Sequence, residues 1–183
     1  MSKKVLVPIA DGSEELEAVC IIDILRRAGA EVIVASVDDL QITASRGVKL
    51  VADALISECT KETFDLIALP GGMPGAEHLR DSRELIDMLK QQKQKGRLYA
   101  AICASPAAVF QHHGLLEGKK ATCHPGRMDT LENKEAVNSR VVVDGTCITS
   151  QGPGTAMEFA LKLVELLLGE EKMKEVKGPL VMP

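Results

Sequence analysis

Tryptophan is absent from this 183-residue chain, and one tyrosine and three phenylalanines are its only aromatics. A core with so few rings must be aliphatic, and a surface so poor in them offers little on which nucleic-acid bases could stack. Excess positive charge is also lacking: the formal net charge is −4, with both signs interspersed. No basic stripe awaits nucleic acid, and no polybasic patch awaits a membrane surface. No apolar run approaches the ~20 residues that span a bilayer. The cysteines, Cys20, Cys59, Cys103, Cys123 and Cys147, are odd in number and widely spaced, with no CxxC and no zinc pattern. The adjacent His112 and His113 point to different faces and lack a third ligand, so no metal is assigned. Nucleotide signatures are missing as well: Asp11-Gly12-Ser13 carries no dinucleotide fingerprint, and no glycine-rich segment ends in Gly-Lys-Ser/Thr. These absences predict a cytoplasmic protein with free thiols, whose partner is a small molecule or another protein.

What is present is an alternation of buried strands and amphipathic helices over one domain, residues 1–183. Val5–Ala10 reads as a strand, followed by a helix that Ser13 caps and that Arg26-Arg27-Ala28-Gly29 closes. Glu31–Val37 is the second strand of a βαβ unit. Residues 41–55 read as a small antiparallel hairpin around Ser45-Arg46-Gly47. Phe64–Leu69 is another buried strand, joined by a glycine-rich loop to a helix over Glu84–Lys95. Leu98–Ile102 is a strand buried on both faces, and a short strand rises to His124. Asp144-Gly145 marks a hairpin turn, and Ala156–Leu168 is a long helix whose apolar positions suit packing on the sheet. The apolar Leu180-Val181-Met182 is expected to dock on its own domain or on a partner subunit. The pattern predicts a doubly wound, mostly parallel sheet with helices on both faces.

The chemistry centres on Cys103, where the strand Leu98–Ile102 ends and Ser105-Pro106 opens a helix. A helix N-terminus presents free N–H groups and partial positive charge, both of which favour thiolate and lower a thiol pKa. Ala101, Ala104 and Ser105 keep the turn tight, as in a strand-turn-helix nucleophile elbow. A buried structural cysteine fits the same local pattern, and the residues alone leave both readings open. Glu17 lies in the first helix after strand one, at the carboxyl end of the sheet, where open α/β folds place their ligands. Its carboxyl is expected to face the same crevice as Cys103, whereas Glu14 and Glu15 complement the helix dipole. The glycine run Gly71, Gly72 and Gly75 lets backbone N–H groups approach a ligand. Arg46 is either an anion or partner contact or an exposed turn arginine, and His124 either a base or a surface residue.

Gly-Ser-Glu-Glu-Leu-Glu at 12–17, Ser45-Arg46-Gly47, Leu-Pro-Gly-Gly at 69–72, Ala-Ala-Ile-Cys-Ala-Ser-Pro at 100–106 and Thr-Ser-Gln-Gly-Pro-Gly-Thr at 149–155 occur in order along the chain. Together they resemble the ThiJ/PfpI superfamily, in the branch of the parkinsonism-associated protein deglycase and its bacterial chaperone-like relatives. The resemblance implies a flavodoxin-like α/β sandwich, a homodimer and no cofactor. It implies Cys103 as nucleophile on a strained elbow, with Glu17 as its protonated partner and general acid/base. Gly71, Gly72 and Ala104 would bind substrate or hold an oxyanion, His124 would be an auxiliary group at the cleft edge, and Arg46 and Arg27 would serve an anion or the dimer. The implied activities are glutathione-independent glyoxalase, deglycation of glyoxal-modified amino groups, redox sensing through cysteine oxidation, and holdase chaperoning. Two departures matter. Protease-like members carry His directly after the nucleophile, where this chain has Ala104, and Gln151 stands where some relatives have arginine, which weakens an anion pocket.

Overall fold

The chain opens with the βαβ unit that its hydrophobic pattern predicts. The computed structural model describes residues 2–182 and places β1 at Lys4–Ile9, α1 at Glu15–Arg27 and β2 at Glu31–Ser36. Strands β1 and β2 are parallel, in register from Lys4 opposite Glu31 to Ile9 opposite Ser36. Successive side chains of β1 serve opposite faces: Val5, Val7 and Ile9 join one apolar cluster and Leu6 the other. That is the period-two alternation of a strand covered on both sides.

A hairpin of β3 (Gln41–Thr43) and β4 (Lys49–Val51) precedes β5 (Ala54–Leu55), the one-turn α2 (Ile56–Cys59) and β6 (Leu66–Leu69). Helices α3 (Gly75–Asp81) and α4 (Arg83–Gln94) lead to β7 (Leu98–Ile102), which runs into an elbow helix at Pro106–Gln111. The hairpin of β8 (Val141–Asp144) and β9 (Cys147–Ser150) follows, and α5 (Ala156–Leu168) and α6 (Glu170–Lys177) come last. The main sheet has the order β5-β2-β1-β6-β7-β9-β8. All its pairings are parallel except β8 with β9. This is the doubly wound, flavodoxin-like three-layer sandwich expected.

The core is aliphatic for want of rings. On one face Ile21, Ile24 and Leu25 of α1 meet Phe159, Leu163 and Val164 of α5 above Val5, Val7 and Ala68. On the other, Leu85 and Leu89 of α4 join Phe110 and Leu115 over Leu6, Ile67 and Tyr99. The one tyrosine is fully buried and satisfies its hydroxyl by donating to the Leu115 carbonyl at 3.1 Å. Leu180 and Met182 pack against the first cluster, so the tail docks on its own fold, while Val181 stays exposed.

Strand order reverses between β1 and β6, because the chain leaves β1 toward β2 and β5 and later returns to β1's other side. Such a switch point opens a crevice at the carboxyl ends of the strands. The loops after β1, β6 and β7 converge there. The β3–β4 hairpin is sewn onto this end, with Gly12 N–H donating to Thr43 O and Ser45 N–H to Ser13 O, both at 2.8 Å.

Four local expectations are corrected. Ser13 does not cap α1: its hydroxyl accepts from Ala10 N–H at 3.0 Å, tightening the turn instead. The hairpin ends at Val51, and Ala54–Leu55 joins the main sheet beside β2. Lys119–His124 is irregular rather than a strand, because its donors go to single partners, such as Thr122 N–H to the Thr149 hydroxyl at 2.9 Å. Helix α3 lies inside the segment read as a glycine-rich loop. Among the described residues no helix is long and apolar enough to cross a membrane.

Phe159 is fully buried between α5 and α1. Phe159→Ala should remove about 3–5 kcal/mol of stability, read as a fall of about 10 °C in thermal midpoint by circular dichroism. A fall of less than about 3 °C would mean that the helical layer closes over the cavity.

Candidate active site

Strand β7 is buried without a break from Tyr99 to Ile102 and delivers Cys103 to the switch-point crevice. Cys103 is held at φ +64°, in the left-handed region that a non-glycine residue enters only under constraint. Its N–H donates to Ser150 O at 3.0 Å and its carbonyl accepts from His124 N–H at 2.8 Å. Ser105, expected to cap the following helix, has helical backbone instead. Its buried hydroxyl donates to the Pro70 carbonyl at 2.5 Å, fastening the elbow to the end of β6. The helix after it is π-wound, a form often found at functional sites.

Glu17 sits in the first turn of α1 with no solvent exposure, behind the cleft wall rather than on it. Its Oε2 accepts the Gly71 N–H at 2.7 Å. No donor reaches Oε1 at hydrogen-bond geometry, which leaves the Cys103 thiol as the polar group against the carboxyl. Burial pushes the Glu17 pKa up to about 7, against the pull of the Gly71 N–H and of Cys103, with a smaller upward push from Glu14. The carboxylic acid therefore persists to near neutrality.

The thiol reverses the expectation of a lowered pKa. Burial pushes Cys103 up to about 12, and the negative charge of Glu17 adds to the rise. The N–H groups of Gly72 and Ala104, directed at the sulfur, pull the other way. The carboxyl therefore gives up its proton well before the thiol does. Protonating Glu17 removes the charge that opposes thiolate and leaves burial, the larger cause, in place.

The glycine run has divided duties. The Gly71 N–H is occupied by Glu17, so Gly71 is no oxyanion donor, contrary to expectation. It is required to be glycine, since a Cβ there would lie 2.5 Å from Cys103 Cβ and 3.0 Å from Glu17 Oε2. Gly72 adopts φ +89° against the Glu14 backbone and turns its own N–H to the sulfur.

Above the pair lies a cavity of about 270 Å³, walled by Cys103, Gly72, Ala104, Glu14, His124, Arg46 and Arg127, among others. His124 is exposed at its edge, and its Nδ1 accepts from Gly126 N–H at 3.2 Å, which leaves Nε2 as the protonated nitrogen of the neutral ring. Arg46 reaches the wall because Glu15 holds its backbone N–H at 2.9 Å while the Ser45 hydroxyl bridges Glu14 and Glu15. Arg27 is not brought to the cleft: it lies at the far end of α1, paired with Asp23 at 2.5 Å. Arg127 was not singled out from the sequence, and its one signal is its place in the turn that begins at His124-Pro125. Among the described residues no group of three or more His, Cys, Asp or Glu is placed to hold a metal ion.

A three-layer α/β sandwich with a thiol on the strand-to-helix elbow beside its switch point defines a class of cysteine-elbow proteins. The chain belongs to the DJ-1/PfpI family, whose sequence profile matches residues 3–166. It is similar to protein DJ-1 homolog B of Arabidopsis thaliana, with 56% identity over 183 residues that cover 99% of this chain and 42% of the relative. The chain spans less than half the length of the two Arabidopsis relatives it matches. The glutathione-independent glyoxalase DJR-1.2 of Caenorhabditis elegans is 36% identical, with 99% of this chain and 96% of that protein covered. The solved structure of oxidized Toxoplasma gondii DJ-1 has a TM-score of 0.96 to this fold, with 55% identity and 98% of each chain covered.

Because Glu17 binds its proton more tightly folded than unfolded, the protein should lose stability as pH rises from about 4.5 through about 7. The neutral amide of Glu17→Gln escapes this loss. Urea unfolding should show the variant gaining on wild type by about 3 kcal/mol between about pH 4.5 and pH 8. A pH-independent difference would mean that Glu17 is ionised in the fold throughout.

Proposed function

We propose that this chain is a cofactor-independent cysteine enzyme for reactive dicarbonyls, converting methylglyoxal to lactate without glutathione and removing glyoxal-type adducts from amino groups. The observation that carries this reading is the buried Glu17 carboxyl, held near pKa 7 against Cys103 on its elbow. General acid–base work at neutral pH needs such a group. The C. elegans relative named a glutathione-independent glyoxalase supports the same chemistry.

In this mechanism the Cys103 thiol gives its proton to the Glu17 carboxylate as its sulfur adds to the aldehyde carbon, and Glu17 passes that proton to the resulting oxyanion, which the Gly72 and Ala104 N–H groups stabilise. Glu17 takes the hydrogen of that carbon as a proton, leaving an enediol, and returns a proton to the neighbouring ketone carbon. Water then hydrolyses the thioester and releases lactate and the free thiol. The aldehyde carbon is oxidised as the ketone carbon is reduced, so the electrons balance within the substrate. His124 at the edge is an auxiliary proton carrier. Addition to a hemithioacetal or aminocarbinol adduct starts deglycation in the same way. Peptide cleavage fits poorly, because Ala104 occupies the position where protease-like relatives have histidine.

A redox-sensing role is the second reading, favoured by the oxidized state of the similar Toxoplasma gondii structure. Peroxide oxidation of Cys103 would give a sulfinate that a protonated Glu17 and the two N–H groups could hold. For assembly, the reading is a homodimer through the groove of about 760 Å³ bordered by Leu16, Val19, Met157 and Val181, all partly or well exposed. The unpaired thiols suit a reducing cytoplasm.

Wild type should form lactate from methylglyoxal without glutathione, and Cys103→Ser and Glu17→Gln should each lose at least about a hundredfold in kcat. An inactive wild type that peroxide converts to a stable Cys103 sulfinate would replace the enzyme with the sensor. Leu16→Glu should shift the protein from dimer to monomer in sedimentation. A wild type that sediments as a monomer would remove the dimer.

A further inference from the structure

Arg127 and Arg46 are the cationic arginines on the cleft wall, and the dicarbonyl mechanism gives neither a task. Its backbone is pinned in the turn Pro125–Thr130: the N–H donates to His124 O at 2.8 Å, and the carbonyl accepts the Thr130 hydroxyl at 2.7 Å. Arg26, Arg27, Arg80, Arg83 and Arg140 each pair with a carboxylate. Arg46 and Arg127 line the cavity above Cys103 and make no side-chain hydrogen bond or ion pair among the described residues. Unpaired arginines on the wall of a small concave site are a receptor for an anion, since the guanidinium fork matches carboxylate oxygens two at a time.

Gln151 does not fill this role, because its Nε2 donates to the Val137 carbonyl at 3.2 Å. Glu14, on the same wall, is held by the Ser45 hydroxyl at 2.7 Å. It offsets one of the two arginines and leaves a positive rim above the Cys103–Glu17 pair, which suits an anion.

We propose that Arg127, together with Arg46, forms an anion receptor over Cys103 and makes α-oxoaldehydes with a distal carboxylate the preferred substrates. The proposal rests on the dicarbonyl reading for its chemistry but not for its geometry. For 4,5-dioxopentanoate the reaction takes up water and gives 2-hydroxyglutarate. The aldehyde carbon becomes a carboxylate, the ketone carbon becomes an alcohol, and one proton is released, with no outside oxidant or reductant.

Two readouts test it. In turnover, kcat/KM for 4,5-dioxopentanoate should exceed that for the uncharged 2-oxopentanal by about tenfold in wild type. Arg127→Gln should collapse that ratio mainly through KM, the mark of a binding rather than a chemical defect. Independently of turnover, Cys103 alkylation by iodoacetate and by iodoacetamide is followed on the Cys103 peptide by mass spectrometry. The rate ratio of the anionic to the neutral reagent cancels any change in thiolate fraction. Relative to a free thiol, it should be raised about tenfold in wild type and fall in Arg127→Gln, further in the double variant with Arg46→Gln, and at about 0.5 M salt. An alkylation ratio that Arg127→Gln leaves unchanged overturns the receptor, even if methylglyoxal is turned over. A ratio that falls while neither dicarbonyl reacts upholds the receptor and removes the enzyme reading instead.

Discussion

Everything at the active end of this fold depends on one buried contact, the Glu17 carboxyl wedged between the Gly71 N–H and the Cys103 sulfur. A charged carboxylate there has a single strong donor, too few for a fully buried anion. The environment resolves this by raising the carboxyl pKa to about 7 rather than by adding donors. The surrounding architecture keeps the contact intact. The segments that follow β1, β6 and β7 each contribute one member, Glu17 from the first turn of α1 and the other two from loops, and the Ser105 hydroxyl ties those two loops together at the Pro70 carbonyl. The arrangement is a proton store as much as a nucleophile.

The contact also separates two effects that local sequence reasoning merges. A thiol at the start of a helix gains from the N–H groups that face it, and Gly72 and Ala104 do pull the Cys103 pKa down. Burial and the neighbouring carboxyl outweigh them, and the thiol is raised. The helix-start effect at this elbow is thus the smaller one, and burial together with the Glu17 charge decides the direction of the shift.

Much of this was legible from residue order. Strand and helix periodicities placed the parallel sheet, the elbow after Ile102 and the carboxyl at Glu17, because these follow from local hydrophobic pattern and from turn position in an α/β fold. What was hidden depends on contacts between distant segments. Ser13 and Ser105 have the look of helix caps, yet their hydroxyls serve a turn and a neighbouring strand end. Gly71 and Gly72 are adjacent and alike in composition, but only three-dimensional packing gives one N–H to Glu17 and directs the other to sulfur. Arg127 carries no motif, and its place on the cleft wall follows from the His124 N–H bond to Cys103 O, which brings an irregular loop over the elbow.

The borders of the main sheet bear on how safely such a chain can fold. On one side β5 has two residues, and on the other β8 is an antiparallel strand folded back on β9. An edge that short offers almost no backbone ladder to a second chain, while β8 has Asp144 near its end and a turn that stops its growth. The apolar strands β1, β6 and β7 are interior, and each has both backbone edges paired within the sheet. A protein rich in aliphatic strands thus confines its templates for aggregation to the folding chain itself.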